Sequence, residues 1–363
     1  MAKKAKPIKR KAAPKRSQAK RAQSKKKIAA RRAAPARATK ELKLSFGCGP
    51  YDRMGALWTG EVKPKGIALQ FTRVEQPHAL FDMVLDEGMF DAAEFGISTT
   101  IAHAESGNDE FVHLPVFPSK MFRHSYIFIN RRGPIREPKD LAGRRIGCPT
   151  YPQVAAIWCR GHLMHEYGVD LSGVTWVQGS IDHAGGHGSG KRPAQLHKPV
   201  KIEKAPPDKS LQQLLIDGAI DAIVGASRPS MFGKHPDLVR IFADSRKEEQ
   251  EFYKRTGIHP IMHDVVIRRG VYDKNPWIAE SLYQACEEAK AKADKKLRYG
   301  GAQRVMLPWL AADVEEIDAL FGSNPWAYGV EPNRKTLATL IDYMQEQGVI
   351  ATKPKVDDLF VKV

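Results

Sequence analysis

Short apolar runs of strand length alternate along the chain with longer stretches whose apolar residues recur every three or four positions, which predicts an α/β protein. Leu42, Lys43, Leu44, Ser45 and Phe46 alternate like a half-buried strand and enter the turn-forming Gly47, Cys48, Gly49 and Pro50. The loop that follows carries Tyr51, Asp52 and Arg53. In an open α/β sheet such a loop is where ligand contacts gather. Residues 80–88 read as an amphipathic helix stopped by Gly88, and 90–98 as a buried strand ending at Ser98. The same helix, Gly, Asp, strand, Ser unit returns at 211–218 and 220–227. A repeated unit predicts two similar α/β lobes, with Ser98 and Ser227 on opposite walls of a crevice.

Between and after the copies, the pattern predicts a strand over 123–129, a turn and strand over 140–147, and a helix around 157–164 that ends near Gly168. It also predicts a strand over 263–268 and helices over 276–296, 312–321 and 334–347. The order assigns residues 41–122 to the first part of lobe 1, 123–262 to lobe 2, and 263–363 to the return into lobe 1 and the C-terminal helices. Crossings near 121–130 and 260–268 form the expected hinge.

Charge changes the picture at one end only. Residues 1–40 hold 11 Lys and 6 Arg and no acidic side chain, so they carry the whole formal charge of +17 and leave 41 basic against 41 acidic residues in the rest. A segment of Ala, Lys, Arg and Pro cannot bury enough apolar surface to offset its ordering entropy, so 1–40 is expected to be a disordered basic tail. Its longest apolar run, Ile28, Ala29, Ala30, falls short of the roughly 7–15 apolar residues of a secretory signal. A basic leader can also be an organellar transit peptide, but the Lys excess and scarcity of Ser point away from that. No run approaches the ~18 apolar residues of a membrane helix. The expectation is a soluble cytoplasmic protein with no membrane partner. Cys48, Cys148, Cys159 and Cys286 are scattered without metal-finger spacing, as in reduced, packed thiols.

Several runs carry a resemblance. Residues 117–125 (Phe117, Pro118, Ser119, Lys120, Met121, Phe122, Arg123, His124, Ser125), the step from Asp140 to Gly143, and Trp158, Cys159, Arg160 and Gly161 resemble the 4,5-dihydroxyphthalate decarboxylase family. So do residues 262–267, from Met262 to Ile267, and 325–334, from Pro325 to Arg334. The resemblance spans roughly residues 42–360 and does not include the basic tail. It implies a two-lobed fold like that of type II periplasmic binding proteins, with a ligand cleft between the lobes. It also implies a carboxy-lyase that converts 4,5-dihydroxyphthalate, or a related small aromatic carboxylic acid, to protocatechuate and CO2 in phthalate degradation. Fold alone does not fix that chemistry, because the same two lobes also bind solutes without reacting them.

The candidate catalytic residues are His124, His263, Glu94 and Asp52. Arg123 and His124 lie at the expected crossing, where a guanidinium can hold a carboxylate and an imidazole can exchange a proton; otherwise they are an incidental strand end. His263 opens the returning strand, where it either completes the cleft or is a hinge His bonded to backbone, and Asp264, its neighbour, points to the other face. Glu94 is a charge in an apolar strand, so it faces the cleft or is paired, and burial would raise its pKa and keep a proton available. Asp52 either meets catechol hydroxyls or caps a helix. Arg53, Arg123 and Arg228 are expected to bind substrate carboxylates, with Ser98 and Ser227 at the strand ends. Tyr151 and Trp158 either stack on an aromatic ring or belong to the core.

Decarboxylating an arene needs a base, an acid and orienting cations, so His124 and His263 are expected to divide the proton transfers, with Glu94 or Asp52 as alternates. No cofactor is called for, and a divalent metal stays open. Residues 185–191 satisfy GxxxxGK, but Arg192 and Pro193 follow where a phosphate loop needs Ser or Thr and a helix. That run reads as a flexible Gly-rich lid, and His183, His187 and His197 around it lack metal-site spacing. Two other classes remain: a binding protein or sensor for a small aromatic acid, and a basic tail that contacts nucleic acid by counterion release.

Overall fold

The computed structural model describes Met1 and residues 41–188 and 195–363. The basic tail, and the Lys191, Arg192 and Pro193 end of the GxxxxGK run, lie outside the described residues. Eleven strands are described: β1 Leu42–Cys48, β2 Ile67–Arg73, β3 Ala92–Gly96, β4 Phe111–Lys120, β5 Ile127–Asn130, β6 Arg145–Cys148, β7 Thr175–Gln178, β8 Ile202–Lys204, β9 Ala222–Val224, β10 Leu238–Arg240 and β11 Ile261–Arg268. The α-helices among them are α1 Gly55–Trp58, α2 Pro77–Leu85, α3 Ile97–Ser106, α4 Val154–His165, α5 Leu211–Ile216, α6 Ser245–Thr256, α7 Arg269–Tyr272, α8 Ile278–Leu297, α9 Leu310–Phe321 and α10 Arg334–Glu346.

The strands form two mixed sheets, ordered β2-β1-β3-β11-β4 and β10-β5-β9-β6-β7-β8. In the first, β11 runs antiparallel to both neighbours, and in the second β5 does the same. Each inserted strand arrives from the other part of the chain, through residues 121–126 on the way out and 241–260 on the way back. The two sheets therefore share one plan. β3 and β9, the strands of the repeated sequence unit, occupy the same place in it, between the first local strand and the inserted one. Their apolar runs are buried throughout, as expected of strands covered on both faces.

Helix α4 lies deepest. Its residues from Val154 to Leu163 are all buried, and it packs against α10, where Gly161 meets the ring of Tyr343. Trp158 donates its indole N–H to the Ile261 carbonyl oxygen at 3.0 Å, which makes it a core residue tying α4 to β11.

The strand expected over 123–129 begins instead as a 3-10 turn, His124–Tyr126, ahead of β5. That turn carries His124 into the core. Its ring is fully buried and stacks on His162 with centroids 4.5 Å apart, against Phe242 and Phe252. Neither nitrogen of either imidazole has a hydrogen-bond partner among the described residues. The expectation that His124 exchanges protons with a ligand is thereby corrected, since a fully buried ring in an aromatic cage reaches no cleft.

Burial, reinforced by Arg255, pulls the His124 pKa down to about 4, and burial pulls His162 well down too. Both rings stay neutral in the folded protein while the unfolded chain takes up protons near pH 6.5. Folding stability is therefore intact above about pH 6.5 and is lost as pH falls toward 4. His124→Phe should remove on the order of 2–3 kcal/mol of that acid loss. Urea unfolding at pH 7 and pH 4.5 checks this, and a variant as acid-sensitive as the wild type would contradict it.

Candidate functional site

The site is built on the antiparallel pairing of β3 with β11. The register sets Glu94 opposite Val265 and Gly96 opposite His263, so Glu94 and His263 are diagonal neighbours on one face. Glu94 is fully buried and takes donors at both carboxylate oxygens. Oε1 accepts from His263 Nδ1 at 2.5 Å and from the Tyr51 hydroxyl at 2.6 Å. Oε2 accepts from the Gly49 backbone N–H at 2.8 Å and from the Cys48 thiol at 3.4 Å. The turn after β1, read from sequence as a ligand loop, thus wraps the carboxylate.

Burial works against ionising Glu94, but the His263 imidazole, the Tyr51 hydroxyl and the Gly49 N–H hold it below the usual carboxylate range. This corrects the expectation that burial keeps a proton on it. Glu94 is a fixed anion whose lone pairs are already occupied, so it orients other groups rather than exchanging protons. A carboxylate at Nδ1 selects the tautomer that carries its hydrogen there and leaves Nε2 as the free nitrogen. His263 Nε2 makes no hydrogen bond among the described residues, and the side chain keeps 12% exposure. The edge-to-face ring of Phe81 on α2, 5.1 Å away, fixes the imidazole from the side. Asp264 points to the opposite face, as alternation requires, and pairs there with Thr100 and His113.

Tyr51 was not singled out from sequence, although it follows the Gly49-Pro50 turn in the loop already marked. Burial and the Glu94 charge raise its pKa, so it remains a phenol. Ser119 pairs across the strand with His263. Arg53 lies between the rings of Tyr51 and Trp326, with its Cζ 4.4 and 4.1 Å from their centroids. Its Nε donates to the Pro118 carbonyl oxygen and its Nη1 to Asp52. Two of its donors are thus taken, and the side chain keeps 16% exposure. The Asp52 side chain is largely exposed and paired with Arg53, with no hydrogen bond to Glu94 among the described residues.

Arg123 is different. It is buried, with Nε on the Met262 sulfur and Nη1 on the Ala226 carbonyl oxygen, both at 3.2 Å, and the Tyr126 ring beneath it. No carboxylate among the described residues forms an ion pair with it, and burial lowers its pKa while Cys159 and Tyr126 oppose that. Glu249 attracts it without forming a direct ion pair, and a buried cation with no carboxylate in contact suits an anionic ligand. Ser98 sits in the first turn of α3 rather than at a strand end, and its hydroxyl donates to the Pro152 carbonyl oxygen at 3.4 Å, just before α4. The first turn of α3 thus touches the segment that leads into α4. Ser227 and Arg228 are exposed after β9, Arg228 lying over Phe232 at 5.9 Å.

Tyr151 is buried. Its hydroxyl donates to the Gln347 carbonyl oxygen and its ring lies 3.8 Å from the Arg160 Cζ, so the expected stacking on a ligand is corrected to a core role. Arg160 is likewise buried, donating to Gln347 and to the Tyr151 carbonyl oxygen. Among the described residues no three His, Cys, Asp or Glu side chains are gathered as a metal site, and no helix is long and apolar enough to cross a membrane.

No family model matches the chain. Among curated proteins, a 4,5-dihydroxyphthalate decarboxylase from Comamonas testosteroni is 31% identical over 321 residues, covering 88% of this chain and 96% of that protein. Another of that name from Pseudomonas putida is 32% identical over 215 residues, 59% of this chain and 82% of that one. Among solved structures, the periplasmic sulfonate-binding protein SsuA from Methylobacillus flagellatus superposes with a TM-score of 0.54 at 14% identity, over 89% of this chain and 92% of that one. The aliphatic sulphonate binding protein SsuA from Escherichia coli gives 0.50 at 12%, over 88% and 97%. These structures show the fold, the two-lobed α/β fold of periplasmic binding proteins, and the extended match to the Comamonas protein shows the kinship: the chain belongs to the 4,5-dihydroxyphthalate decarboxylase family.

Proposed function

We propose that this protein is a carboxy-lyase that removes CO2 from 4,5-dihydroxyphthalate, or a closely related aromatic acid, and leaves protocatechuate. The observation that carries the reading is the Glu94–His263 pair, an imidazole oriented by a buried carboxylate with Nε2 left free. In this reading Nε2 takes the proton of the ring hydroxyl para to the leaving carboxyl group. The phenolate oxygen pushes electrons into the ring, the ring carbon that bears the carboxyl group accepts a proton, and the bond to that group breaks with its electron pair returning to the ring. CO2 departs, aromaticity is restored, and the hydroxyl regains its proton from His263. The net reaction consumes one proton and needs no oxidant or reductant.

In this reading Arg123 supplies the cation for the retained carboxylate, and the exposed Ser227 and Arg228 are open for further contacts. The proposal places the enzyme in the cytoplasm, a reducing compartment suited to the free, buried Cys48, Cys148, Cys159 and Cys286. The fold neighbours, which are named as binding proteins, favour one competing reading, a binding protein without turnover. Incubating purified protein with 4,5-dihydroxyphthalate, with and without chelator, separates the two. Protocatechuate is the expected result, the chelated sample showing whether a metal is needed, whereas calorimetric binding without product would favour the binding protein.

A further inference from the structure

The end of β4 and the segment between α9 and α10 are joined by direct contacts. The Trp326 indole N–H donates to the Phe117 carbonyl oxygen at 3.0 Å. Lys120 Nζ, buried at the end of the strand, donates to Asn333 Oδ1 at 2.6 Å and to the Ala327 carbonyl oxygen at 3.2 Å. Asn333 in turn donates to the Ala327 and Gly329 carbonyl oxygens, so the segment that carries Trp326 is held on both sides of the indole. That indole lies against the Arg53 guanidinium, whose Cζ is 4.1 Å from the Trp326 ring centroid and 4.4 Å from that of Tyr51. A guanidinium is attracted to the faces of both rings, and Arg53 Nε is pinned to the Pro118 carbonyl oxygen at 2.6 Å, so the cation cannot follow a ring that moves. Tyr51 then carries its hydroxyl to Glu94 Oε1 at 2.6 Å, the oxygen that also accepts from His263 Nδ1 at 2.5 Å. Every link from Trp326 to His263 is therefore a direct contact.

We propose that Trp326 is a positioning residue for His263, acting through Arg53, Tyr51 and Glu94: the indole clamps the guanidinium against the Tyr51 ring, and the Tyr51 hydroxyl sets how the Glu94 carboxylate holds the imidazole. Oε1 serves two donors at once, so its pull on the His263 Nδ1–H depends on the share that Tyr51 takes. With the clamp in place, both donors keep their places on one oxygen and Nε2 keeps one direction. With the clamp gone, the Tyr51 ring is free to swing its hydroxyl away, Oε1 turns its whole charge on Nδ1–H, and the imidazole shifts with it. The inference rests on the decarboxylase reading for its kinetic consequence alone, because the clamp belongs to the protein without substrate. It also gives the segment around Trp326, far from His263 in sequence, a part in the site.

Proton NMR of the full chain without substrate reads the link directly, since a short imidazole N–H bond to a carboxylate gives a resonance far downfield, assigned by its disappearance in His263→Asn. Trp326→Ala should move or broaden that resonance. It should also lower kcat with 4,5-dihydroxyphthalate by about ten- to a hundredfold, while the dissociation constant stays within about threefold. Trp326→Phe keeps a ring over Arg53 and gives up only the bond to Phe117, so the resonance should hold its place and kcat should return to within about threefold of wild type. Arg53→Met, which removes the charge between the rings, should repeat the change in the resonance, and it serves if Trp326→Ala fails to fold. A resonance at the wild-type position in Trp326→Ala, whatever happens to its Tm, would overturn the proposal and leave Trp326 a packing residue. So would a moved resonance with kcat unchanged, or a Phe variant as impaired as the Ala variant. A resonance that moves as described in a protein whose wild type makes no product would overturn the decarboxylase reading instead and leave the clamp standing.

Discussion

His263→Asn should lower kcat by about two to four orders of magnitude, the range general acid–base groups contribute, while the dissociation constant for 4,5-dihydroxyphthalate shifts by only several-fold. The side chain lies beside a fully buried carboxylate, so the replacement has to keep a donor there. The Asn amide N–H can still satisfy Glu94, and this separates loss of chemistry from stranding a buried charge. Removing the proton-transfer nitrogen acts on the chemical step and leaves binding through Arg123 in place. Steady-state kinetics with calorimetry reads both quantities. His124→Phe serves as the control, since its ring lies in the aromatic core and its loss should leave kcat within a few-fold. A His263→Asn enzyme within tenfold of wild type would remove His263 from the mechanism.

The largest stability effect is expected at Gly161. A Cβ there would lie 2.0 Å from the Tyr343 Cδ2 and 2.1 Å from its Cε2. The Tyr343 ring cannot retreat easily, because it packs edge-on against Trp158 and stacks on His165. Helix propensity alone favours Ala over Gly by about 1 kcal/mol. Overpacking a close crossing costs typically 1–3 kcal/mol and sometimes more, and here nothing nearby can yield. Gly161→Ala is therefore expected to destabilise the fold by at least about 2 kcal/mol. Thermal unfolding should show a Tm several degrees lower. A variant as stable as the wild type would mean that α4 and α10 can separate without cost.

Much of the architecture was legible because its signals are local. The repeated helix, Gly, Asp, strand unit fell on α2 with β3 and on α5 with β9, and the helices over 157–164, 276–296 and 334–347 lie within or close to α4, α8 and α10. The insertion of β5 and β11 into each other's neighbouring sheets was not legible strand by strand, since pairing over such separations leaves no periodic trace. The site shows the same division. Glu94 stood out as a charge in an apolar strand, and His263 as the start of a returning one, yet only the β3–β11 register makes them partners. Tyr51 escaped because an aromatic after a Gly-Pro turn has no distinctive spacing.

The differences between pattern and structure share a cause. A strand through 123–129 would have given its side chains alternating faces, but the 3-10 turn over His124–Tyr126 rotates His124 into the core and leaves Arg123 on Met262 and Ala226. For Tyr151 the residue type leaves two readings open, stacking on an aromatic ring or a place in the core, and the structure decides for the core. The buried Arg160 beside it, invisible to a pattern of polar and apolar residues, draws the ring inward. The pKa of Glu94 runs opposite to what burial alone predicts for a related reason. Burial was foreseeable from the apolar run, whereas the donors that outweigh it come from β11 and from the turn after β1.

The most direct test of the account is to run wild-type protein with 4,5-dihydroxyphthalate in D2O, measuring CO2 and the mass and ring spectrum of the product. One CO2 should be released for each protocatechuate formed, with a single deuterium on the ring carbon that lost its carboxyl group. Substrate bound and recovered unchanged, with no CO2, would contradict the claim that the Glu94–His263 cleft performs a decarboxylation.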